Sequence, residues 1–421
     1  MKQQSNPARS GAQAPTASSV SAGRRQAISA LGAGALASLI LPPSALAQSG
    51  EFRIGWIRPT TGKLASSFAP LYAGGLIAID EINAAGGILG RKLTIVEEDD
   101  EASPAKEPAI VRKLKADGIE YVVGPTGSPQ SLASLASSTP AKMIQTGIAN
   151  GAELGDGTKY PYHFMCCYTT VQEGEVAAQY MTGPLKLRKI GILHELTPFG
   201  ETAANATRLK LKQITGQDPA IIQTYSMNAS DLTAQVLALK NAGCEGLIIW
   251  MASSVHIAMA FTAMAKMNWV PPIVGHVNLF NDALFDLVPE QSLRNVFGVY
   301  YRNWTYSDST PAPERNVALA KKLQAAQGVK GIEAYVAGCP HYDFLHLLKT
   351  VIEQQKSFDV EAVRRGLNAT QGYKGAIGTL SFSETNHAGV AMEDITVSSV
   401  ASSRDPRSKS LGALRLRAPG A

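Results

Sequence analysis

The sequence predicts an α/β protein built from two doubly wound lobes, and three observations lead to this fold class. Beyond residue 47, short apolar runs alternate with patterns of helical spacing. The alternation occurs twice, on either side of a loop rich in Gly, Asp and Pro at residues 151–161. The roughly 370 residues that carry it are enough for two domains with sizeable cores. Repeated β–α alternation gives parallel sheets with right-handed crossovers, so each block predicts one α/β lobe.

The first block predicts four strands, at residues 52–57, 93–96, 121–124 and 143–146, and a helical pattern follows each of the first three. Ser128 and Pro129 suit the start of the third helix, because Ser is a favoured N-cap and Pro a favoured first helical residue. Pro108 falls inside the second predicted helix and would remove a backbone hydrogen bond there. That helix therefore either begins late or bends.

The second block predicts strands at residues 189–194, 221–225, 246–250 and 273–276. Thr170-Val171-Gln172-Glu173 has the pattern of a capping box and predicts the helix that opens this block. Beyond it, helices are predicted near residues 313–326, 340–354 and 360–367, and strands near 378–382 and 394–400. These strands are too few for a third sheet. We expect them to complete the two lobes, so the chain crosses between lobes more than once and forms a hinge.

The first 47 residues have the order of an export signal. The pair Arg24-Arg25 precedes an apolar run from Ala27 to Leu41, and a small-residue cleavage site follows at residues 45–47. The run is shorter than the ~20 residues of a spanning helix, which favours a cleaved signal over a membrane anchor. The adjacent arginines suggest the twin-arginine route, although Ala27 stands where a bulky apolar residue is usual. We therefore expect cleavage near Ala47 and a periplasmic location.

Charge and cysteine content exclude some classes of function. The chain has 39 basic and 34 acidic residues, and without the four basic residues of the signal the balance is 35 to 34. The locally basic segment 403–421 is expected to be a flexible tail. Nothing in this pattern predicts nucleic-acid binding. The four cysteines lack zinc-site spacing. In an exported protein they allow three full disulfide pairings that the sequence does not separate, but a bridge between the neighbours Cys166 and Cys167 would strain the peptide, which favours free thiols.

The motifs of common enzymes are missing from the sequence. Residues 87–92 lack the spacing and the Ser/Thr of a phosphate loop, and Gly127-Ser128 lacks the flanks of a nucleophile elbow. The seven histidines are scattered, so a structural role is favoured for each of them. We expect no catalytic residue, metal or cofactor, and an exported enzyme is the less favoured alternative.

The stretch from Ile79 to Leu93, IDEINAAGGILGRKL, carries a strong resemblance. Together with shorter segments in the expected order, among them Pro198-Phe199-Gly200 and Tyr342-Asp343, it resembles the periplasmic leucine/isoleucine/valine-binding protein family. Members of that family are solute receptors of ABC transporters. The resemblance covers residues 52–400. It implies two Rossmann-like lobes, three hinge crossings and a ligand cleft between the lobes. The expected division is residues 48–169 with 302–388 for lobe I, and 170–301 with 389–402 for lobe II.

The resemblance also implies where a ligand binds. Carried over by position, the ligand-binding residues are Thr61, Phe68, Gly127, Ser128, Gly147, Ile148 and Ala149 in lobe I and Phe199, Ser253, Val277 and Asn278 in lobe II. Ligands of parallel sheets bind at the carboxyl ends of strands, and the loop at residues 124–128 is such a place. Ser128 either donates to a ligand carboxylate or only caps its helix. Phe68 and Phe199 are ligand contacts or core residues.

The match differs from the amino-acid binders at two positions. The resemblance places a hydroxyl residue where Ala149 stands and an acid where Val277 stands. An unpaired ammonium in a closed cleft would cost several kcal/mol, which argues against branched-chain amino acids. A neutral amide, a urea-like solute or a carboxylate fits better, unless Glu195, His276 or Asn278 pairs with a zwitterion.

We therefore expect a monomeric receptor that closes on its solute and delivers it to an ABC permease/ATPase complex in the inner membrane. A ligand sensor of the same fold, coupled to a signalling partner, is the alternative.

Overall fold

The computed structural model describes residues 50–62, 65–326 and 336–421. The predicted export signal lies outside the described residues. Among the helices of the described ranges, none has the length and apolarity needed to cross a membrane.

The described strands and helices follow the predicted alternation. The strands are β1 (Glu51–Arg58), β2 (Lys92–Asp99), β3 (Tyr121–Thr126), β4 (Ile144–Ile148), β5 (Ile190–Glu195), β6 (Ile221–Tyr225), β7 (Gly246–Trp250), β8 (Ile273–Gly275), β9 (Val296–Tyr301), β10 (Thr305–Tyr306), β11 (Tyr373–Lys374), β12 (Thr379–Leu380), β13 (Ile395–Ser399) and β14 (Arg415–Leu416). The helices are α1 (Ala65–Ala84), α2 (Glu107–Ala116), α3 (Ser128–Ser138), α4 (Thr170–Thr182), α5 (Pro198–Thr215), α6 (Thr233–Asn241), α7 (Ser254–Lys266), α8 (Asp282–Leu287), α9 (Glu314–Ala325), α10 (Cys339–Gln355), α11 (Val360–Asn368) and α12 (Pro406–Ser410).

The first lobe is built on a parallel sheet of order β2-β1-β3-β4. Alternate residues of a strand point to opposite faces, so both faces need helices. Trp56 belongs to the main core on the α1 side and contacts Tyr72, whereas its neighbour Ile57 packs with Ile110 and Leu114 of α2. The sheet is therefore covered on both faces, as the predicted doubly wound lobe requires.

The second lobe has a six-stranded sheet of order β13-β9-β8-β7-β5-β6. Five strands are parallel and β13 runs antiparallel to β9 at the edge. The sequence analysis placed no strand at Val296–Tyr301, although all six residues of β9 are buried. Within this lobe, the Trp250 indole donates to Thr207 of α5 at 3.0 Å, which satisfies a buried polar group.

Two predicted helix starts differ in detail from the structure. Helix α2 begins at Glu107 with Pro108 in its first turn, so the late start is the correct alternative. The capping box of α4 pairs Thr169 with Gln172, one residue earlier than predicted. Thr169 is extended (φ −91°, ψ 158°), whereas Thr170 already lies in the helix, so only Thr169 can act as the cap.

The last third of the chain completes both lobes instead of forming a third. Helix α10 packs along α1 of the first lobe and contacts α11, whereas β13 joins the sheet of the second lobe. The chain therefore passes between the lobes three times. These passes touch each other: the Met165 N–H donates to the His387 carbonyl at 2.9 Å, and the Tyr168 and Tyr301 rings lie 4.5 Å apart.

The C-terminal segment is not the flexible tail that the sequence analysis expected. Strand β14 pairs in parallel with β10, and Ala418 N–H donates to Val397 of β13 at 2.9 Å. Leu414 and Arg415 are fully buried, and the Arg415 guanidinium lies 5.1 Å from the Phe280 ring. The prediction from local basic charge is wrong here, because a basic side chain can be buried against an aromatic face.

Candidate functional site

The residues predicted to bind a ligand lie at the carboxyl edges of the two sheets. Strand order reverses between β1 and β3 in the first lobe and between β5 and β7 in the second. Loops that leave neighbouring strands in opposite directions open a crevice at such a point. Thr61 and Ser128 flank the first crevice, and Phe199 and Ser253 flank the second.

At the first crevice, Thr61 is tied to the end of β2. Its hydroxyl donates to Asp99 at 2.5 Å, and the Thr60 N–H donates to the same carboxylate at 2.9 Å. Burial alone would raise the pKa of Asp99, but these hydrogen bonds outweigh it and hold the pKa well below its usual range. Thr61 is thus held in place as a support of the β1 loop, and Asp99 stays ionised.

Ser128 does not cap α3, which removes one of its two predicted roles. Gly127 is the N-cap, with φ +97°, and α3 has no side-chain cap. The Ser128 hydroxyl instead accepts the Gly151 N–H at 3.1 Å, which joins the β3 loop to the loop after β4. Gly127 has the backbone conformation that favours glycine, because L side chains rarely adopt a φ of +97°.

The other first-lobe candidates lie beside Ser128 or on α1. Gly147 and Ile148 end β4, and the Gly127 N–H donates to the Ile148 carbonyl at 2.9 Å. Ala149 is buried in a small apolar cluster with Leu135, Leu154, Met165 and Cys167, so its methyl group faces protein. Phe68 is half-buried in the first turn of α1.

In the second lobe, hydrogen bonds hold the loops after three strands together. Glu195 ends β5 and accepts the Ala252 N–H at 2.7 Å, while Asn278 donates to the Ala252 carbonyl at 3.0 Å. Glu195 also accepts from the Thr197 hydroxyl at 2.8 Å, so this buried carboxylate is used within the protein. Ser253 is the half-buried N-cap of α7 and makes no side-chain cap bond. Gly200 must be a glycine, because a Cβ would lie 2.2 Å from the Glu195 carbonyl oxygen.

A carboxylate and an imidazole meet at the same edge. Glu173 of α4 is fully buried, and its Oε1 lies 2.5 Å from His276 Nδ1, at the end of β8. The Phe199 ring packs edge-on against His276 with centroids 4.9 Å apart. Val277 follows directly and is half-buried against the core.

The chain segment that first passes from lobe I to lobe II also connects the carboxyl edges of the two sheets. The Thr170 N–H at the start of α4 donates to the Asn150 carbonyl at 2.8 Å, and the Cys167 thiol donates to the Ala149 carbonyl at 3.3 Å. Burial, with a smaller contribution from the Glu173 charge, raises the pKa of the Cys167 thiol to about 12. All four cysteines are buried free thiols, as the sequence analysis expected.

The structure thus brings the predicted candidates to two edges joined through the start of α4. Sequence reasoning missed Glu173 as a site residue, because its spacing from Thr170 was interpreted as helix capping. Its burial was the missing signal, since an acid within a helix's apolar stripe indicates a partner. Within the described ranges, no group of three or more His, Cys, Asp or Glu side chains is arranged to hold a metal ion.

Two hinged α/β lobes with loop-lined edges at their strand reversals define the class of two-lobed, type I periplasmic binding folds. A sequence profile described as "Periplasmic binding protein" matches residues 51–405, so the chain belongs to the periplasmic binding protein family. Among curated relatives, Leu/Ile/Val-binding protein homolog 1 of Brucella abortus (strain 2308) is 25% identical over 338 residues. That match covers 77% of this chain and 84% of the relative. This relative is of the leucine/isoleucine/valine-binding type that the resemblance indicated.

Solved structures show the same fold. A type 1 periplasmic binding protein from Bordetella pertussis Tohama I has a TM-score of 0.72 at 21% identity, covering 83% of this chain and 96% of that chain. The branched-chain amino acid transporter substrate-binding protein LivJ from Streptococcus pneumoniae, solved in complex with isoleucine, has a TM-score of 0.66 at 20% identity. The match covers 79% of this chain and 92% of the LivJ chain.

Proposed function

We propose that this protein is the solute receptor of an ABC importer, acting in the periplasm without a chemical step. It closes its two lobes on a small amino-acid-like, amide, urea-like or carboxylate solute and delivers that solute to the permease. The single observation that carries the proposal is the placement of polar loops from both sheets at edges connected through α4. The curated relatives are named as binding proteins, which supports a receptor over an enzyme.

Ligand capture follows from the hinge. The three passes between lobes are short and touch one another through Met165, His387, Tyr168 and Tyr301. A rotation of one lobe on the other therefore changes few contacts outside the passes, and ligand contacts from both lobes stabilise the closed form. Closure removes water from the edges, which strengthens each hydrogen bond to the solute.

On the first lobe, Gly127 and Ser128 offer the recognition elements. Helix α3 begins there without a side-chain cap, so free backbone N–H groups and the positive end of the helix face the crevice. A carboxylate or carbonyl oxygen is the group such a place binds. Ser253 and the start of α7 give the second lobe a similar arrangement.

The predicted export signal supports the periplasm as the place where the protein acts. Residues 1–47 carry its basic, apolar and small-residue segments, and a periplasmic site of action agrees with the family's name. We expect a fusion of residues 1–47 to a reporter enzyme to be exported, and replacement of Arg24 and Arg25 by Lys to test the twin-arginine route. Retention of the reporter in the cytoplasm would contradict this part of the proposal.

The central experiment is a thermal-shift screen of residues 48–421 against amino acids, amides, urea and aliphatic or aromatic carboxylates. A compound that binds only the folded protein raises its melting temperature, by an amount that grows with concentration. Small-angle X-ray scattering should then show a smaller radius of gyration with the hit. Ser253→Ala should weaken the hit at least threefold, whereas Ser309→Ala, at an exposed serine, should not. A panel that never shifts the melting temperature would contradict the receptor assignment.

A further inference from the structure

A groove with a volume of about 560 Å³ lies along the outer edge of the second lobe's sheet. Helix α4 forms one wall, from Glu175 to the turn at Pro184, and the edge strand β13 forms the other. Small-molecule sites typically measure about 300–1,000 Å³, so the groove is large enough to hold one.

The groove is separate from the candidate ligand edge of this lobe. The loops of that edge follow β5, β7 and β8, whereas β13 is the outermost strand of the sheet, beyond β9. Gln172 at the start of α4 donates to the Val390 carbonyl at 2.8 Å, so the third pass between lobes lies at this end of the groove. The Gly420 backbone approaches Pro184 at the other end. A molecule in the groove would therefore leave the cleft free.

The middle of the groove is apolar. Val176 and Tyr180 line it from α4, Ile395 and Val397 from β13, and Met392 from the third pass. The Tyr180 hydroxyl donates to the Pro419 carbonyl at 3.1 Å, so this polar group is already used within the protein. The walls between the two ends therefore suit a hydrocarbon chain.

Two arginines lie close together at the end of the groove beside the passes. Arg302 lines the groove, and its Nε donates to the Glu393 carbonyl at 2.8 Å. The Arg417 Nε donates to the Thr305 hydroxyl at 3.2 Å, and that hydroxyl donates to the Arg302 carbonyl at 2.7 Å. Burial, and then the Arg302 charge, lowers the pKa of Arg417. Among the described residues, no carboxylate pairs with either guanidinium.

The two acids that line the groove do not balance this charge. Glu175 pairs with Lys210 at 3.2 Å, so its carboxylate is already matched. Glu393 is exposed, so water and salt screen its charge. The half-buried guanidinium of Arg302, with Arg417 behind it, therefore leaves an excess of positive charge at this end of the groove.

We propose that the groove is a second binding site, which takes an amphiphilic carboxylate with its head on Arg302 and its hydrocarbon chain between α4 and β13. A guanidinium matches a carboxylate with two parallel hydrogen bonds. The chain gains free energy by leaving water for the apolar walls. Arg302 directly follows β9, where the second pass between lobes begins, so the bound head lies beside the hinge. The site goes beyond the proposed receptor function, because it needs no solute in the cleft.

Isothermal titration of residues 48–421 with octanoate and octylammonium tests this site. The two probes share one hydrocarbon chain and carry opposite charges. We expect one equivalent of octanoate to bind, at least about tenfold more tightly than octylammonium. Arg302→Met keeps an apolar stem without the guanidinium and should weaken octanoate by at least about tenfold. Arg294→Met, at an exposed arginine of the same lobe, makes the same change in net charge and should leave octanoate binding as it is.

A second pair of variants tests the location without changing a charge. Gln179 lines the groove from α4 and is exposed, so Gln179→Trp should fill the groove and block octanoate while the fold is kept. Ser253→Ala, in the proposed cleft, should leave octanoate binding unchanged. Thermal unfolding of each variant checks its folding. If Arg302→Met melts well below the wild type, Gln179→Trp decides the location by itself.

The outcomes separate the groove from the cleft. Octanoate binding that Ser253→Ala weakens and Gln179→Trp spares would place the carboxylate in the cleft and overturn the proposed second site. Absence of octanoate binding, or equal binding of the two probes, would overturn it as well. The receptor assignment is independent of these results, because it depends on compounds whose binding Ser253→Ala weakens, and it fails only if the thermal-shift panel contains none.

Discussion

Replacing Glu107 by Gln should stabilise the protein, and the gain should grow as the pH rises. Glu107 is the first residue of α2 and is fully buried, as is Asp100 after β2. Neither Glu107 oxygen meets a donor within the described ranges, so the two carboxyl groups can bond only by sharing a proton. Burial first, and then Asp100, raises the pKa of Glu107 to about 9.

The magnitude follows from proton linkage. The pKa in the folded protein lies above the ordinary value of 4.5, so the folded state keeps a proton that the unfolded chain releases. The stabilising contribution of this proton is complete below pH 4.5 and is lost as the pH rises towards 9. Each pH unit in that window costs about 1.4 kcal/mol, which amounts to about 3 kcal/mol at pH 7. Gln keeps the donor to Asp100 but cannot ionise.

The assay is urea unfolding followed by tryptophan fluorescence at pH 5 and pH 8. We expect the two proteins to differ little at pH 5 and Glu107→Gln to be more stable by a few kcal/mol at pH 8. Glu120→Gln, at a partly exposed carboxylate paired with Lys115, serves as the control and should change little. A difference between wild type and Glu107→Gln that stays constant from pH 5 to pH 8 would refute the reasoning.

Three further predictions concern stability and reactivity. A chain that ends after residue 403 loses the buried Leu414 and the β10–β14 pairing, so its free energy of unfolding in urea should fall by at least about 2 kcal/mol; an unchanged midpoint would contradict the packing described. A thiol reagent such as Ellman's reagent should react with none of the four buried cysteines until guanidinium unfolds the protein, because burial raises thiol pKa values; rapid native labelling would speak against it. Trp304→Phe removes the indole donor to the Ala376 carbonyl, which joins the second crossing to the first lobe, and should cost about 1 kcal/mol by urea unfolding; a neutral effect would show that the Asn316 side chain alone satisfies that carbonyl.

The strands and helices that show a clear local pattern of apolar residues could be predicted from the sequence. Most parallel strands are continuous apolar runs that end in turn residues, and β6 and β7 were predicted with the bounds the structure has. Strand β9 was missed because its run, VFGVYY, follows short turns and contains a glycine. The packing of the C-terminal segment depends on contacts with Phe280 and β10, which lie more than a hundred residues away, so no local pattern could reveal it.

The site was predictable at the level of strand ends and less so at the level of contacts. Parallel strands place their carboxyl ends at one edge, which is enough to group Thr61 with Ser128 and Phe199 with Ser253. The pairing of His276 with Glu173 was not predictable in this way, because Glu173 lies about a hundred residues earlier and only tertiary packing brings the two side chains together. The bond between Thr61 and Asp99 likewise joins the ends of two strands that only tertiary packing brings together.

The pairing of β14 with β10 has a practical consequence for anyone labelling this protein. Strand β10 directly follows the second pass between lobes, and the Arg417 N–H donates to Tyr306 at 2.8 Å. A fluorescent reporter or purification tag fused after Ala421 would lie next to β14 and could disturb its pairing with β10, beside the second pass between the lobes. Fusion partners intended for a biosensor therefore belong in exposed surface loops such as the turn around Gly216, away from the carboxyl terminus.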